Sequence, residues 1–120
     1  MEKVNLAAML ARFDERWSPR IVGELNGQHV KLAKLEGEFV WHRHPDADEL
    51  FLVLEGSLLM RLRGGEVRLG PGEMLIVPRG IEHQPVAEGL VQVLLFEPVG
   101  TLNTGDAEPE ARTVRDPERL

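Results

Sequence analysis

This 120-residue chain predicts an all-β sandwich or barrel preceded by one short helix. Three observations lead there. Short runs of alternating apolar residues recur at close intervals, Gly, Pro and Asn separate them, and helical periodicity is confined to the N-terminus. Asn5 is placed to cap a helix through Leu6, Met9, Leu10 and Phe13, whose three-to-four spacing makes one apolar stripe, and Ser18-Pro19 lies beyond its end. Ile21 to Leu25 and Gln28 to Leu35 then flank Asn26-Gly27, a hairpin signal because a type I′ turn needs positive φ at both central residues. Two more strands surround the segment from His42 to Glu49. After them come Leu58 to Arg63, a Gly64-Gly65 turn, Glu66 to Leu69, Gly70-Pro71-Gly72, Met74 to Val77, a strand at His83, and Leu90 to Glu97.

The length suits one domain, because a chain of this size buries roughly 60% or more of its unfolded surface around a single core. Residues 1–105 are read as that domain. Residues 106–120 are mostly charged, contain two prolines, and offer only Val114 and Leu120 as large apolar groups, so an extended or mobile tail is expected. A formal charge of −6 leaves no basic footprint for nucleic acid. No apolar run is long enough to span a membrane, which argues against that partner as well. The opening MEKVNLAAMLARF lacks a basic n-region followed by a long apolar stretch, so a cytoplasmic location is expected.

His42, His44, Glu49 and His83 carry the chemistry. Two histidines two residues apart on a strand project from one face about 7 Å apart, close enough to share an ion. Three imidazoles with one carboxylate form a nitrogen and oxygen donor set without thiolate, and the chain has no cysteine to supply one. One divalent ion is expected, with Mn, Fe, Ni or Zn all compatible and Cu also allowed. If His42 points inward, strand alternation sends Val40 inward and turns Phe39 and Trp41 outward. It also puts Phe51 and Val53 on the face of Glu49, followed by Leu58, Met60 and Leu62. On the second strand Val30, Leu32 and Lys34 share a face, which makes Lys34 the expected anion-greeting side chain near the rim. Val40, Phe51, Met60 and Lys34 are thus the expected contacts of a small-molecule ligand. His29 falls on the opposite parity and reads as a surface histidine. Outward Trp41 and Phe39 would expose more apolar area than a small monomer usually tolerates, so a two-fold homodimer is expected.

Glycines and prolines frame the same residues. Gly37, His42, His44, Glu49 and Gly56 form one cluster, and Gly72, Pro78, Gly80 and His83 form another fifteen residues on. Gly-x5-Pro-x-Gly alone would arise by chance at roughly one start position in 4,000. On these residues the chain resembles the cupins, in particular the small bacterial single-domain members labelled mannose-6-phosphate isomerase-like. It departs from the first motif in having four residues rather than five after Gly37, and from the second in having Ala87 where Asn is common. The resemblance implies a double-stranded β-helix, the jelly-roll barrel, with His42, His44, Glu49 and His83 as metal ligands. It also implies isomerase-type or oxygenase chemistry on a small polar or anionic metabolite, the alternative being a non-catalytic metal or small-molecule binding module.

Overall fold

The computed structural model describes residues 1–120. One helix, α1 (Leu6–Leu10), precedes six strands: β1 (Arg20–Leu25), β2 (Gln28–Glu38), β3 (Glu49–Leu62), β4 (Gly65–Leu69), β5 (Met74–Val77) and β6 (His83–Pro98). The Asn5 side chain accepts from the Ala8 amide at 2.9 Å, so α1 begins where the sequence places its cap. The helix is only five residues long, and Phe13 lies past its end.

All strand pairings are antiparallel, in the order β1-β2-β6-β3-β4, with β5 also against β3. The sheet rolls into the jelly-roll barrel, with the long β3 and β6 ladder as its spine. Asn26 (φ 51°) and Gly27 (φ 78°) form the left-handed turn between β1 and β2. Two strands expected on either side of Gly56 are one continuous β3, and the His83 and Leu90 segments are one β6. Irregular register between Val53 and Ser57 accounts for this: a bulge bends the ladder without ending it. At Gly56 (φ 89°) an added Cβ would lie 2.7 Å from the Leu90 carbonyl oxygen. Gly56→Ala should therefore cost at least ~2 kcal/mol from strain and overlap. Gly37→Ala, with equally positive φ but nothing within 4 Å, should cost only about 1 kcal/mol. Urea midpoints compare the two; equal losses would remove close approach as the reason for Gly56.

The barrel interior contains Ala33, Leu35, Phe39, Phe51, Val53, Leu58, Met60, Val91, Val93 and Leu95. A separate cluster of Leu10, Phe13 and Leu32 seals the N-terminal segment onto the outside of β2. This reverses the expected faces of β2. Lys31, Ala33 and Leu35 point inward, and Val30, Leu32 and Lys34 point outward. The apolar parity of Leu32 was real, but α1 covers it rather than the barrel. His29 consequently sits on the inner parity and is buried, with Glu24 3.3 Å from its Nε2, rather than lying on the surface.

Phe39 is a second correction. β2 stops at Glu38 after a register shift at Gly37, so strict alternation no longer governs Phe39 and Val40. Phe39 turns into the core and stacks on Trp17, with ring centroids 4.5 Å apart. Trp41 does face out, but Arg63 caps its ring at 3.9 Å and Arg61 lies at 6.0 Å, so the apolar patch expected of this pair is not formed. The exposed apolar side chains of β5 are Met74 and Ile76.

The tail runs back along the barrel. Arg119 bridges in parallel to Ile21 of β1, whose edge donates to Glu118 and accepts from Leu120. Further back, the Asn103 amide donates to the Arg112 carbonyl and its oxygen accepts from the Val114 amide, fastening the segment over the barrel mouth. No helix is long and apolar enough to cross a membrane.

Candidate metal centre

Four side chains converge at one end of the barrel. The potential ligand atoms of His42, His44, Glu49 and His83 lie within 4.8 Å of one another, and all four residues are buried. Glu49 opens β3 and His83 opens β6. His42 and His44 lie between β2 and β3 and are held by other means. His42 and His83 exchange both backbone hydrogen bonds, at 3.0 and 2.9 Å, and the Gly80 amide donates to the His44 carbonyl at 2.9 Å. Behind them Arg43 is clamped by Asp106, whose carboxylate accepts from the Arg43 amide at 2.9 Å and from its guanidinium at 3.0 Å. Gly105 presses so closely on this segment that a Cβ there would overlap the Arg43 carbonyl. The fixed geometry of the two histidines thus comes from long-range contacts rather than from strand propensity.

Hydrogen bonding sets the direction in which the imidazoles point. Nδ1 of His42 stands 2.9 Å from the Val40 carbonyl, and Nδ1 of His83 stands 2.9 Å from that of Ile81. A carbonyl oxygen only accepts, so both Nδ1 atoms carry the proton and both Nε2 atoms present a lone pair. At the centre of the cluster, His44 Nε2, His83 Nε2 and Glu49 Oε1 are buried without hydrogen-bond partners. Glu49 Oε1 is 3.2 Å from His44 Nε2 and 3.6 Å from His83 Nε2, close contacts in which no proton is aligned for a bond. Buried polar atoms are normally satisfied, and leaving three orphaned together costs several kcal/mol. A cation among them would satisfy all three.

Electrostatics favour a neutral imidazole and a charged carboxylate. Burial, helped by the proximity of His83, lowers the His42 pKa to about 4. Burial pushes Glu49 upward, but the Glu97 carboxyl and the His44 and His83 rings beside it outweigh that and hold the carboxylate well below its usual range. Those are the protonation states a divalent ion requires of its ligands.

A narrow cleft leads to the cluster. Its empty space is about 380 Å³ counting the open mouth, and the enclosed part is far smaller. His42, Glu49 and Asn103 are its polar lining; Trp17, Leu35, Phe39, Phe51 and Leu95 are among the apolar groups that make up most of the rest. Of the four expected ligand contacts, Phe51 lines this cleft. Met60 is wholly buried in the core, and Val40 packs half-buried against the core while its carbonyl orients His42. Lys34 faces the other way: its ammonium donates to the Phe13 carbonyl at 2.7 Å and lies 5.2 Å over the Phe13 ring. No lysine or arginine lines the cleft.

Sequence reasoning gives neither Trp17 nor Glu97 a role at the site. Trp17 adopts φ 59°, a strained conformation for a bulky residue, and is held there by its amide to the Lys34 carbonyl (2.8 Å) and its indole to the Glu36 carbonyl (2.9 Å). No local sequence signal marks it. Glu97 does leave one: on β6, Val91, Val93 and Leu95 alternate inward, and the next inward position is Glu97.

Comparison with known proteins agrees with this fold. The profile of the family described as "Cupin domain" matches residues 28–97. Protein YdbB of Bacillus subtilis is 40% identical over 81 residues, covering 67% of this chain and 72% of YdbB. The tetracenomycin polyketide synthase protein TcmJ of Streptomyces glaucescens is 35% identical over 112 residues, covering 86% and 74%. A cupin-2 domain containing protein from Shewanella frigidimarina superposes with a TM-score of 0.78 at 42% identity, covering 79% of this chain and 93% of that structure.

Proposed function

Since the chain belongs to the cupin-domain family, we propose that it binds one divalent ion through His42, His44, Glu49 and His83 and acts as a metal-dependent enzyme on a small molecule admitted by the cleft. The observation that supports this most directly is the group of three orphaned ligand atoms, aimed at one point by histidines whose other nitrogens are already committed. Mn, Fe, Ni and Zn suit the donor set, and Cu is allowed. When bound, such an ion supplies Lewis-acid polarisation or a redox centre, corresponding to isomerase-type or oxygenase chemistry.

The residues around it narrow the ligand. Lys34, the side chain expected to greet an anionic ligand, points away from the cleft. The wall instead offers the faces and edges of Trp17, Phe39 and Phe51 and one neutral amide, Asn103. A compact, largely apolar molecule with a ketone, enol or phenol oxygen fits that lining, the oxygen meeting the ion and the skeleton excluding water. The name of TcmJ lends support, since polyketides are apolar skeletons bearing such oxygens. A divalent ion with three neutral imidazoles and one carboxylate carries a net charge of about +1, which also favours an oxygen donor.

In a screen of metal-loaded protein, small phenols and enolisable ketones should raise the thermal midpoint, with turnover followed by mass change under O₂ and by isomer ratio without it. Stabilisation by sugar phosphates alone would refute the apolar-ligand reading. Stabilisation without turnover by any metal would favour the binding module. Residence in the cytoplasm and a two-fold dimer belong to this proposal as well; the dimer would use the Met74 and Ile76 face of β5. Light scattering at micromolar concentration checks it, a monomer mass counting against it.

A further inference from the structure

Beside the four ligands the barrel holds a second carboxyl group that no ligand set requires. Glu97 is 1% exposed and Lys31, whose ammonium lies 2.8 Å from Glu97 Oε1, is 2% exposed. Oε2 of Glu97 is buried without a partner. The register of β3 against β6, with Leu50 opposite Phe96, places Glu97 across the ladder from Glu49, and the Glu49 charge helps to raise the Glu97 pKa. Lys31, Glu97 and the proposed ligand Glu49 thus lie in succession inside an interior built mainly of Val, Leu, Phe and Met.

Stability does not explain such a pair. Removing two charges from water costs about as much as their attraction returns, and apolar replacements of similar volume are often neutral or stabilising. Ligating carboxylates and imidazoles, by contrast, regularly depend on outer partners that fix their orientation. His42 and His83 have such partners in the Val40 and Ile81 carbonyls. Glu49 has only Glu97 behind it.

We propose that Glu97, anchored by Lys31, is a positioning residue that holds the Glu49 carboxylate in the orientation in which it ligates the divalent ion. Lys31, donating to Glu97 Oε1, restrains Glu97 from swinging. The role rests on the reading of His42, His44, Glu49 and His83 as a metal site, and it concerns metal affinity rather than the substrate.

The test measures dissociation constants for Zn and Mn by chelator competition, together with the urea stability of metal-free protein. In the double variant Lys31→Met/Glu97→Leu, which swaps the pair for apolar groups of similar size, affinity should fall about 10- to 100-fold while metal-free stability stays level or rises. Where that variant does not fold, Glu97→Ala, which makes room for water around the freed ammonium, carries the same expected affinity loss. Glu97→Gln keeps an acceptor for Lys31 and can donate to Glu49, so its affinity should stay within about threefold of the natural protein, a span below the typical outer-partner loss. Unchanged affinity in the double variant, or a Gln variant as weak as the double, would overturn the proposal. If the natural protein itself takes up no stoichiometric ion, the metal-site reading fails instead, so the two failures are distinguishable.

Discussion

Replacing His42 and His44 together by Ala should abolish stoichiometric metal binding, the largest effect expected of any change in the chain. The natural protein, purified without added metal and then equilibrated with Mn, Fe(II), Ni or Zn, should hold one ion per chain. The double variant should hold essentially none after gel filtration. Four-ligand sites are worth on the order of 10 kcal/mol or more, so losing half the donors removes roughly half of that, more than a thousandfold in affinity. What remains, Glu49 and His83, lies at the starts of β3 and β6 and presents two donors to a space that water can then enter. The fold itself should survive, because the ladder of β3 and β6 does not pass through residues 39–48. One ion per chain retained by the double variant would refute the ligand assignment.

The clustering of His42, His44, Glu49 and His83 was legible because their spacing is punctuated by residues with backbone roles. Gly72, Pro78 and Gly80 bring the chain round to His83, and the strand parity of Glu49, Phe51 and Val53 was read correctly because Glu49 lies within a regular ladder. Parity failed where regularity ended. Alternation extended past Glu38, where β2 has already stopped, turns Phe39 outward, whereas Phe39 enters the core and Val40 packs half-buried against it. Lys34 failed for a different reason. An apolar parity on a strand shows that a face is covered, not which element covers it, and here α1 and Phe13 cover the outer face while Lys31 goes inside. Glu97 was within reach of the same alternation, since it is the inward position that follows Val91, Val93 and Leu95 on β6. Trp17 and Asn103 are brought to the cleft by segments with no periodicity, and nothing local announces them.

Acid should weaken the metal-free fold through His42 before general acid denaturation begins. A histidine titrates near 6.5 when unfolded, and His42 in the folded chain does so at about 4. The folded-state value is depressed, so between those two points the unfolded chain binds a proton that the native chain refuses. Stability from His42 is therefore fully present above about pH 6.5 and is lost as pH falls toward 4, up to about 3 kcal/mol in all. Glu97 works against this in part of the window. Burial and the Glu49 charge raise its pKa well above the carboxylate range, so its own contribution fades as pH rises from about 4.5. The measurement must therefore isolate His42, by comparing urea unfolding of the metal-free natural protein with that of His42→Asn from pH 7 to 4, the difference narrowing as acid is added. Following the imidazole by NMR gives the folded-state midpoint directly. A His42 that titrates near 6.5 in the folded chain would show that its ring is solvated, and it would remove burial as the reason this site keeps a neutral donor ready for a cation.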